Sequence, residues 1–358
     1  MSDAEPGEIL FTRRGGVGRI LLNRPKALNS LTMGMCEALG PQLRAWKNDP
    51  TVRVVVITGA GEKAFCAGGD VVRLYEDHRA GGSLAYDFWR VEYRCNAAIK
   101  HVGKPYVALL DGYVMGGGVG VAVHGSHRIA TERTTFAMPE TFIGLFPDVG
   151  GTYFLPRLPG AAGMYLGLTG RRMKAADCVM LGIAQALVPH ERLPALESAL
   201  VDSDGAMEDV TRIVNSFAEP VKDAPIIAER AAIDRHFSHA SIEDIFGSLE
   251  SDASEWAVKQ LTSLKKYSPL ALKITFRQIH CGAELSFDDC MRQEWRLASR
   301  IADGHDFYEG VRALLVDKDN APRWRPASLA DVSEAAVDAY FAPLPGDELN
   351  LSDITGVA

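Results

Sequence analysis

The chain has 358 residues, 47% hydrophobic and 23% charged, with a formal net charge of −8. That length and balance allow a sizeable core, exclude a disordered or collagen-like class, and suggest about two domains or one domain with a long appendage. The net acidity argues against nucleic acid as a partner, because phosphate backbones are met by clustered basic faces.

In chain order, the start MSDAEPGEILF is acidic and has no apolar core of the kind a secretory signal needs. Residues 8–12 and 18–23 read as two short strands about the turn Arg14-Gly15-Gly16. Thr32 can cap a helix over 33–48, whose apolar positions Met35, Leu39, Leu43 and Trp46 keep a helical period. The run 52–58 is almost wholly apolar, as in a strand covered on both faces. The loop 59–70 is rich in glycine and feeds a helix near Val71, with Asp70 as the candidate cap. Residues 84–99 read as a helix carrying Trp89, Glu92 and Tyr93, and 106–110 as a further buried strand. After it, Gly116, Gly117 and Gly118 make a tight turn into the apolar run 119–123, read as the start of a buried helix. Strands alternating with helices up to about residue 131 give an α/β class.

Beyond that point the pattern turns helical, over 161–168, 175–181 and 193–200, with Gly170 and Gly182 as breaks. The acidic stretch 203–225, broken by Pro220 and Pro225, reads as a junction. We therefore divide the chain into a core, 1–215, and a helical C-terminal region, 216–358. Helices are predicted over 226–235, 241–264, 270–281, 287–301 and 307–314, and an irregular tail from Ala342. No apolar run reaches the ~20 residues that cross a bilayer. The six cysteines have no CxxC spacing and read as buried, reduced thiols of a cytoplasmic protein.

The chemistry concentrates between Met115 and Gly151. From Arg133 to Arg157 the only charged residues between the two arginines are Glu140 and Asp148, each preceded by proline and set among Phe136, Met138, Phe142, Ile143, Leu145, Phe146 and Val149. A carboxylate among apolar side chains costs free energy without partners, so two of them eight residues apart suggest a site. The glycine turns near Gly69 and Gly117 leave backbone N–H groups bare at helix starts, as a two-donor oxyanion hole requires. Taken singly, each feature also reads as close packing, a cap or a turn. Other chemistries lack their residues. Val121 breaks GxGxxG, there is no GxxxxGK[ST] or GxSxG, and His190, His236 and His239 lack metal-ligand companions and read as surface. No metal is expected.

NRPKALNSL at 23–31, KAFCAGGD at 63–70, KPYVALLDGYVMGGGVG at 104–120 and LTGRRMKAADCVMLGIAQALV at 168–188 resemble the crotonase, or enoyl-CoA hydratase/isomerase, superfamily. AMPETFIGLFPDVGGTYFLPRL at 137–158, SPLALKITFRQI and DFYEGVRALLVDKDNAPRW at 306–324 resemble its 3-hydroxyisobutyryl-CoA hydrolase branch. The resemblance spans nearly the whole chain. It implies a ββα superhelix followed by helices, an acyl-CoA thioester as substrate with no separate cofactor, and a trimer or a dimer of trimers.

It implies oxyanion donors at Gly69 and Gly117, the second hydratase glutamate at Glu140, and the branch's own acids at Asp148 and Glu92. The first hydratase glutamate falls on Gly120, so the acid–base pair for adding water to a double bond is incomplete. Hydrolysis of a short 3-hydroxyacyl-CoA is therefore expected, with 3-hydroxyisobutyryl-CoA first and 3-hydroxypropionyl-CoA as an alternative acyl group. Glu140 acts as nucleophile or as base on a water, while Asp148 and Glu92 bind the 3-hydroxyl. Enoyl-CoA hydration or isomerisation is the competing reaction. Lys26 and Lys63 are candidates for the CoA phosphates by loop position.

Overall fold

The computed structural model describes residues 7–355. β1 (Ile9–Arg14) and β2 (Val17–Leu22) form a hairpin closed by Gly15 and Gly16. α1 (Met33–Asn48) starts at Thr32, whose hydroxyl accepts the Met35 amide at 3.3 Å. Then follow β3 (Val54–Gly59), β4 (Ala64–Cys66), α2 (Val71–Arg79), α3 (Leu84–Lys100), β5 (Tyr106–Leu110), β6 (Tyr113–Met115), α4 (Gly117–Gly120), β7 (His127–Ala130) and β8 (Thr135–Ala137). α5 (Gly151–Phe154), α6 (Ala162–Thr169), β9 (Met173–Lys174), α7 (Ala175–Met180) and β10 (Ala186–Leu187) complete the mixed part.

From β3 to β8, successive strands alternate between two sheets. The larger has the order β1-β2-β3-β5-β7-β10 and the smaller β4-β6-β8-β9. All neighbours are parallel except β1 with β2 and β8 with β9. Each turn of the coil adds one strand to each sheet, which is the ββα superhelix that the resemblance implied.

The larger sheet is covered on both faces. Val55, Ile57, Tyr106, Ala108 and Leu110 face the side packed by Leu39, Leu43, Tyr93 and Ile99. Val54, Val56, Val107 and Leu109 face Leu196, Leu200, Val210 and Val214. The second cover comes from α8 (Leu193–Val201) and α9 (Met207–Phe217). Near-continuous apolar runs in β3 and β5 follow from this two-sided burial.

The chain ends in α10 (Ile226–Phe237), α11 (Ile242–Glu250), α12 (Glu255–Leu264), α13 (Pro269–Gly282), α14 (Phe287–Ala302), α15 (Asp306–Val311), α16 (Glu334–Phe341) and α17 (Ser352–Thr355). α14 packs on α3 and α5, and α13 on α5 and α6, so the tail closes over the superhelix. Among the described residues no helix is long and apolar enough to cross a membrane.

Several expectations are corrected. β-structure continues past residue 131 in β8, β9 and β10, strands of two or three residues that are too short to show a period. The run 119–123 is mostly turn, since α4 stops at Gly120. The helix predicted over 241–264 is two, because the Ser254 hydroxyl accepts the Ala257 amide at 3.2 Å and starts α12 afresh. α9 occupies the acidic stretch read as a junction, and α16 lies in a segment where no helix was predicted. α15 ends at Val311 and passes into a π-helical turn, Arg312–Val316. Asp70 makes no side-chain cap to α2 and instead pairs with Arg24 at 3.1 Å. His236 is 2% exposed rather than on the surface, held between Ser248 (2.8 Å) and Asp252 (3.0 Å). All six thiols are free and Cys281 alone is exposed.

Gly118 fixes how closely α4 approaches β4. A Cβ there would lie 2.2 Å from the Cys66 carbonyl oxygen and 2.8 Å from its Cβ, with backbone on one side that cannot yield. Gly118→Ala is expected to lose about 1–3 kcal/mol of stability, read as a lower urea midpoint at unchanged slope. An unchanged midpoint would contradict that approach.

Candidate active site

The parallel pairing of β4, β6 and β8 brings their C-terminal ends side by side. The loops leaving those ends carry Gly68-Gly69, Gly116-Gly117 and Pro139-Glu140. Sites in parallel sheets form at this edge, because each strand there hands over to a loop whose backbone is not used by the ladder.

The Gly69 amide is aimed by a single bridge to Leu31. The Leu31 N–H donates to the Gly68 carbonyl (2.8 Å) and the Asp70 N–H to the Leu31 carbonyl (3.0 Å). In a parallel bridge the neighbours' groups face the partner, so the N–H of Gly69 itself points the other way. Gly117 is the first residue of α4 and its N–H has no intrahelical acceptor. Neither amide has a hydrogen-bond partner among the described residues. A Cβ on Gly117 would lie 3.2 Å from the Gly69 nitrogen and 2.5 Å from Glu92 Oε1, so the two amides and Glu92 converge. The loops reach this arrangement through Gly68 at φ +112° and Gly116 at φ +49°, where side chains are strained.

Glu140, Asp148 and Glu92 complete the group. They line a pocket of about 250 Å³ together with Gly69, Gly117, Phe88, Trp89, Phe142, Ile143, Leu145 and Leu314. All three acids are nearly sealed from bulk solvent, at 5%, 4% and 2% exposure. Glu140 Oε2 and Glu92 Oε1 are buried without a hydrogen-bond partner among the described residues. Asp148 Oδ2 accepts the Tyr93 hydroxyl at 2.9 Å. A Cβ on Gly116 would lie 2.9 Å from Glu140 Oε1, so that carboxyl reaches the second glycine turn. The structure thus brings all five candidate residues to one hollow. Lys26 and Lys63 are exposed and do not line it.

Burial raises the proton affinity of each acid. Glu140 and Glu92 are pushed well above the carboxylate range, first by desolvation and then by the charge of Asp148. Asp148 is pushed up to about 7 by desolvation, against the opposing hydrogen bond from Tyr93. Three carboxyls in one buried pocket titrate as a group, and burial shifts that group toward its protonated form.

Gly120 has no room for the acid that a hydratase carries there. A Cβ would lie 2.5 Å from Val149 Cβ and 2.8 Å from Asn96 Nδ2.

Sequence reasoning missed three contributors. Tyr93 reads from the sequence only as a helix residue, with no role in the site. Leu314, in the π-helical turn, forms part of the pocket wall from the far end of the chain. Glu294 is fully buried behind the Asp148 turn. Its signal was present, as one acid on the apolar face of α14 between Cys290, Met291 and Ala298 at helical spacing.

A raised folded pKa means that the native protein holds a proton the unfolded chain has released. Stability therefore falls as pH climbs from the ordinary to the raised value, from 3.8 to about 7 for Asp148. The slope for one group is at most about 1.4 kcal/mol per pH unit. Urea unfolding between pH 5 and pH 7 is expected to show a shallower loss in Asp148→Asn than in the wild type. Parallel losses would contradict a protonated Asp148.

The sequence pattern of the family described as enoyl-CoA hydratase/isomerase matches residues 17–341. The chain is 48% identical to "3-hydroxyisobutyryl-CoA hydrolase, mitochondrial" of Danio rerio over 98% of its own length and 94% of that protein's. Its identity to the protein of that name from Gallus gallus is 47%, over 96% of this chain and 91% of that one. It also superposes on a crystal structure of a carnitinyl-CoA dehydratase from Mycobacterium thermoresistibile at 43% identity and a TM-score of 0.90, covering 97% of this chain and 99% of that one. The mitochondrial names overturn the expectation of a cytoplasmic protein. Reduced thiols, on which that expectation partly rested, do not distinguish one reducing compartment from another. A family match along most of the chain and identities of this size, joined to glycine loops and acids brought to one pocket, mean that the chain belongs to the enoyl-CoA hydratase/isomerase family.

Proposed function

We propose that the protein hydrolyses 3-hydroxyisobutyryl-CoA to 3-hydroxyisobutyrate and coenzyme A. The observation that carries the reading is the company Glu140 keeps. It shares one pocket with two unpaired amides and with Asp148, while position 120 has neither an acid nor space for one. Relatives at 47–48% identity carry the name of that hydrolase, which supports the choice of acyl group. The reading calls for no cofactor beyond the coenzyme A of the substrate.

Attack on the thioester carbonyl moves charge onto its oxygen. N–H donors at Gly69 and Gly117, fixed by their loops, would each stabilise that charge by about 2.7–4 kcal/mol. In the route the resemblance favours, the Glu140 carboxylate adds to the carbonyl carbon and the C–S bond breaks. This gives a mixed anhydride and a CoA thiolate that takes a proton from the acid cluster. Water then cleaves the anhydride, freeing the acid product and Glu140. In the alternative, Glu140 removes a proton from a water that attacks directly.

Either route needs Glu140 ionised beside neighbours that are not. The cluster favours such states, because one charge in the pocket costs far less than three. Asp148, with Oδ2 held by Tyr93, and Glu92 would bind the 3-hydroxyl. A substrate without that hydroxyl leaves buried polar groups unpaired, the kind of loss that discriminates strongly. One methyl group separates this acyl group from 3-hydroxypropionyl and shifts selectivity by only about 1–3 kcal/mol.

The second reading is hydration or isomerisation of an enoyl-CoA, favoured by the family's description. Free-thiol release from 3-hydroxyisobutyryl-CoA and loss of enoyl absorbance with crotonyl-CoA separate the two. We expect thiol release, lowered about 10²-fold or more in Glu140→Gln. Full activity in that variant would remove Glu140 from the reaction. Asp148→Asn is expected to lose the preference for 3-hydroxyisobutyryl-CoA over isobutyryl-CoA. An unchanged preference would count against its contact with the hydroxyl.

A further inference from the structure

The turn that presents Asp148 is one the chain does not adopt freely. Val149, a β-branched residue, has φ +50° and Gly150 has φ +91°. Side chains outside the pocket hold it there. Gln278 of α13 donates to the Pro147 carbonyl (2.5 Å) and the Thr152 hydroxyl (2.9 Å). His124 Nε2 donates to the Val149 carbonyl at 2.7 Å. Glu294 of α14 accepts the Gly150 N–H at Oε2 (2.7 Å) and the Thr152 N–H at Oε1 (2.8 Å).

Of the three, Glu294 alone is an acid, and it is completely buried. An ionisable group so far from water is costly, and burial pushes it up to about 8. It is not part of the lining of the pocket that holds Glu140 and Asp148. Both of its oxygens are spent on the two amides that follow Asp148. A glutamine of the same shape would keep one of these bonds and set its own N–H₂ against the other amide.

We propose that Glu294 is a positioning residue for Asp148: by clamping the Gly150 and Thr152 amides it holds the Asp148 carboxyl against Tyr93 and so sets the preference for an acyl group bearing a 3-hydroxyl. This rests on the reading of Asp148 in the previous subsection. It makes the selectivity of the pocket depend on a helix from the far end of the chain. Side chains that merely support the fold would lower turnover of hydroxylated and plain acyl thioesters alike. A clamp on Asp148 changes their ratio.

The test compares kcat/KM for 3-hydroxyisobutyryl-CoA and isobutyryl-CoA in the wild type, Glu294→Gln, Asp148→Asn and the double variant. The wild type is expected to prefer the hydroxylated thioester. In Glu294→Gln that preference falls at least fivefold, and the double variant shows no further fall beyond Asp148→Asn, as for residues acting through one contact. A wild-type ratio in Glu294→Gln, with both activities lowered equally, overturns the proposal and leaves the assignment of Asp148 standing. A wild type indifferent to the hydroxyl overturns that assignment and the proposal with it. If Glu294→Gln does not fold, the ratio is read on Glu294→Asp. That variant keeps the carboxyl group but is one methylene too short to span both amides, and the same outcomes decide.

Discussion

The parallel pairing of three very short strands is the constraint on which this molecule depends. β4, β6 and β8 have three residues each, yet their register sets the loops of Gly69, Gly117 and Glu140 next to one another. Such strands hold a register because most of their side chains are buried, Ala64, Phe65, Cys66, Val114 and Phe136 among them. The glycines tighten the arrangement further. At Gly118 the backbone of α4 comes within a Cβ's reach of β4, and at Gly117 the two amides and Glu92 converge. Packing density here turns into chemical geometry.

A second consequence is electrostatic. Glu92, Glu140 and Asp148 are gathered in a pocket whose other lining is mainly apolar, and each is driven toward its protonated form by desolvation before any neighbour's charge is counted. In the proposed reaction this tension is useful, since a cluster that prefers a single charge offers one carboxylate for attack and protonated neighbours for the departing thiolate. Position 120 has no acid and its space is taken by Val149 and Asn96, while Asp148 stands in the same pocket as the two amides.

The helical tail takes part in the site. α14 supplies Glu294 behind the Asp148 turn, and the π-helical turn after α15 brings Leu314 to the pocket wall. Residues 144 positions apart in sequence thus meet behind the pocket, where the Gly150 N–H donates to Glu294.

By itself the sequence determined the long helices, the buried β3 and β5, and the candidates Gly69, Gly117, Glu140, Asp148 and Glu92. Periods over ten or more residues, glycine triplets and acids stranded among aromatics are local signals, and motif resemblance joined them into a family. Only the tertiary structure decided the rest. The two- and three-residue strands carry no period, the break at Ser254 rests on a single hydroxyl, and the burial of His236 depends on partners in α11 and just beyond it. The roles suggested for Tyr93, Leu314 and Glu294 arise from contacts across the chain: the sequence marks Glu294 as an acid on an apolar helix face, but which groups these side chains meet is set by packing at long range.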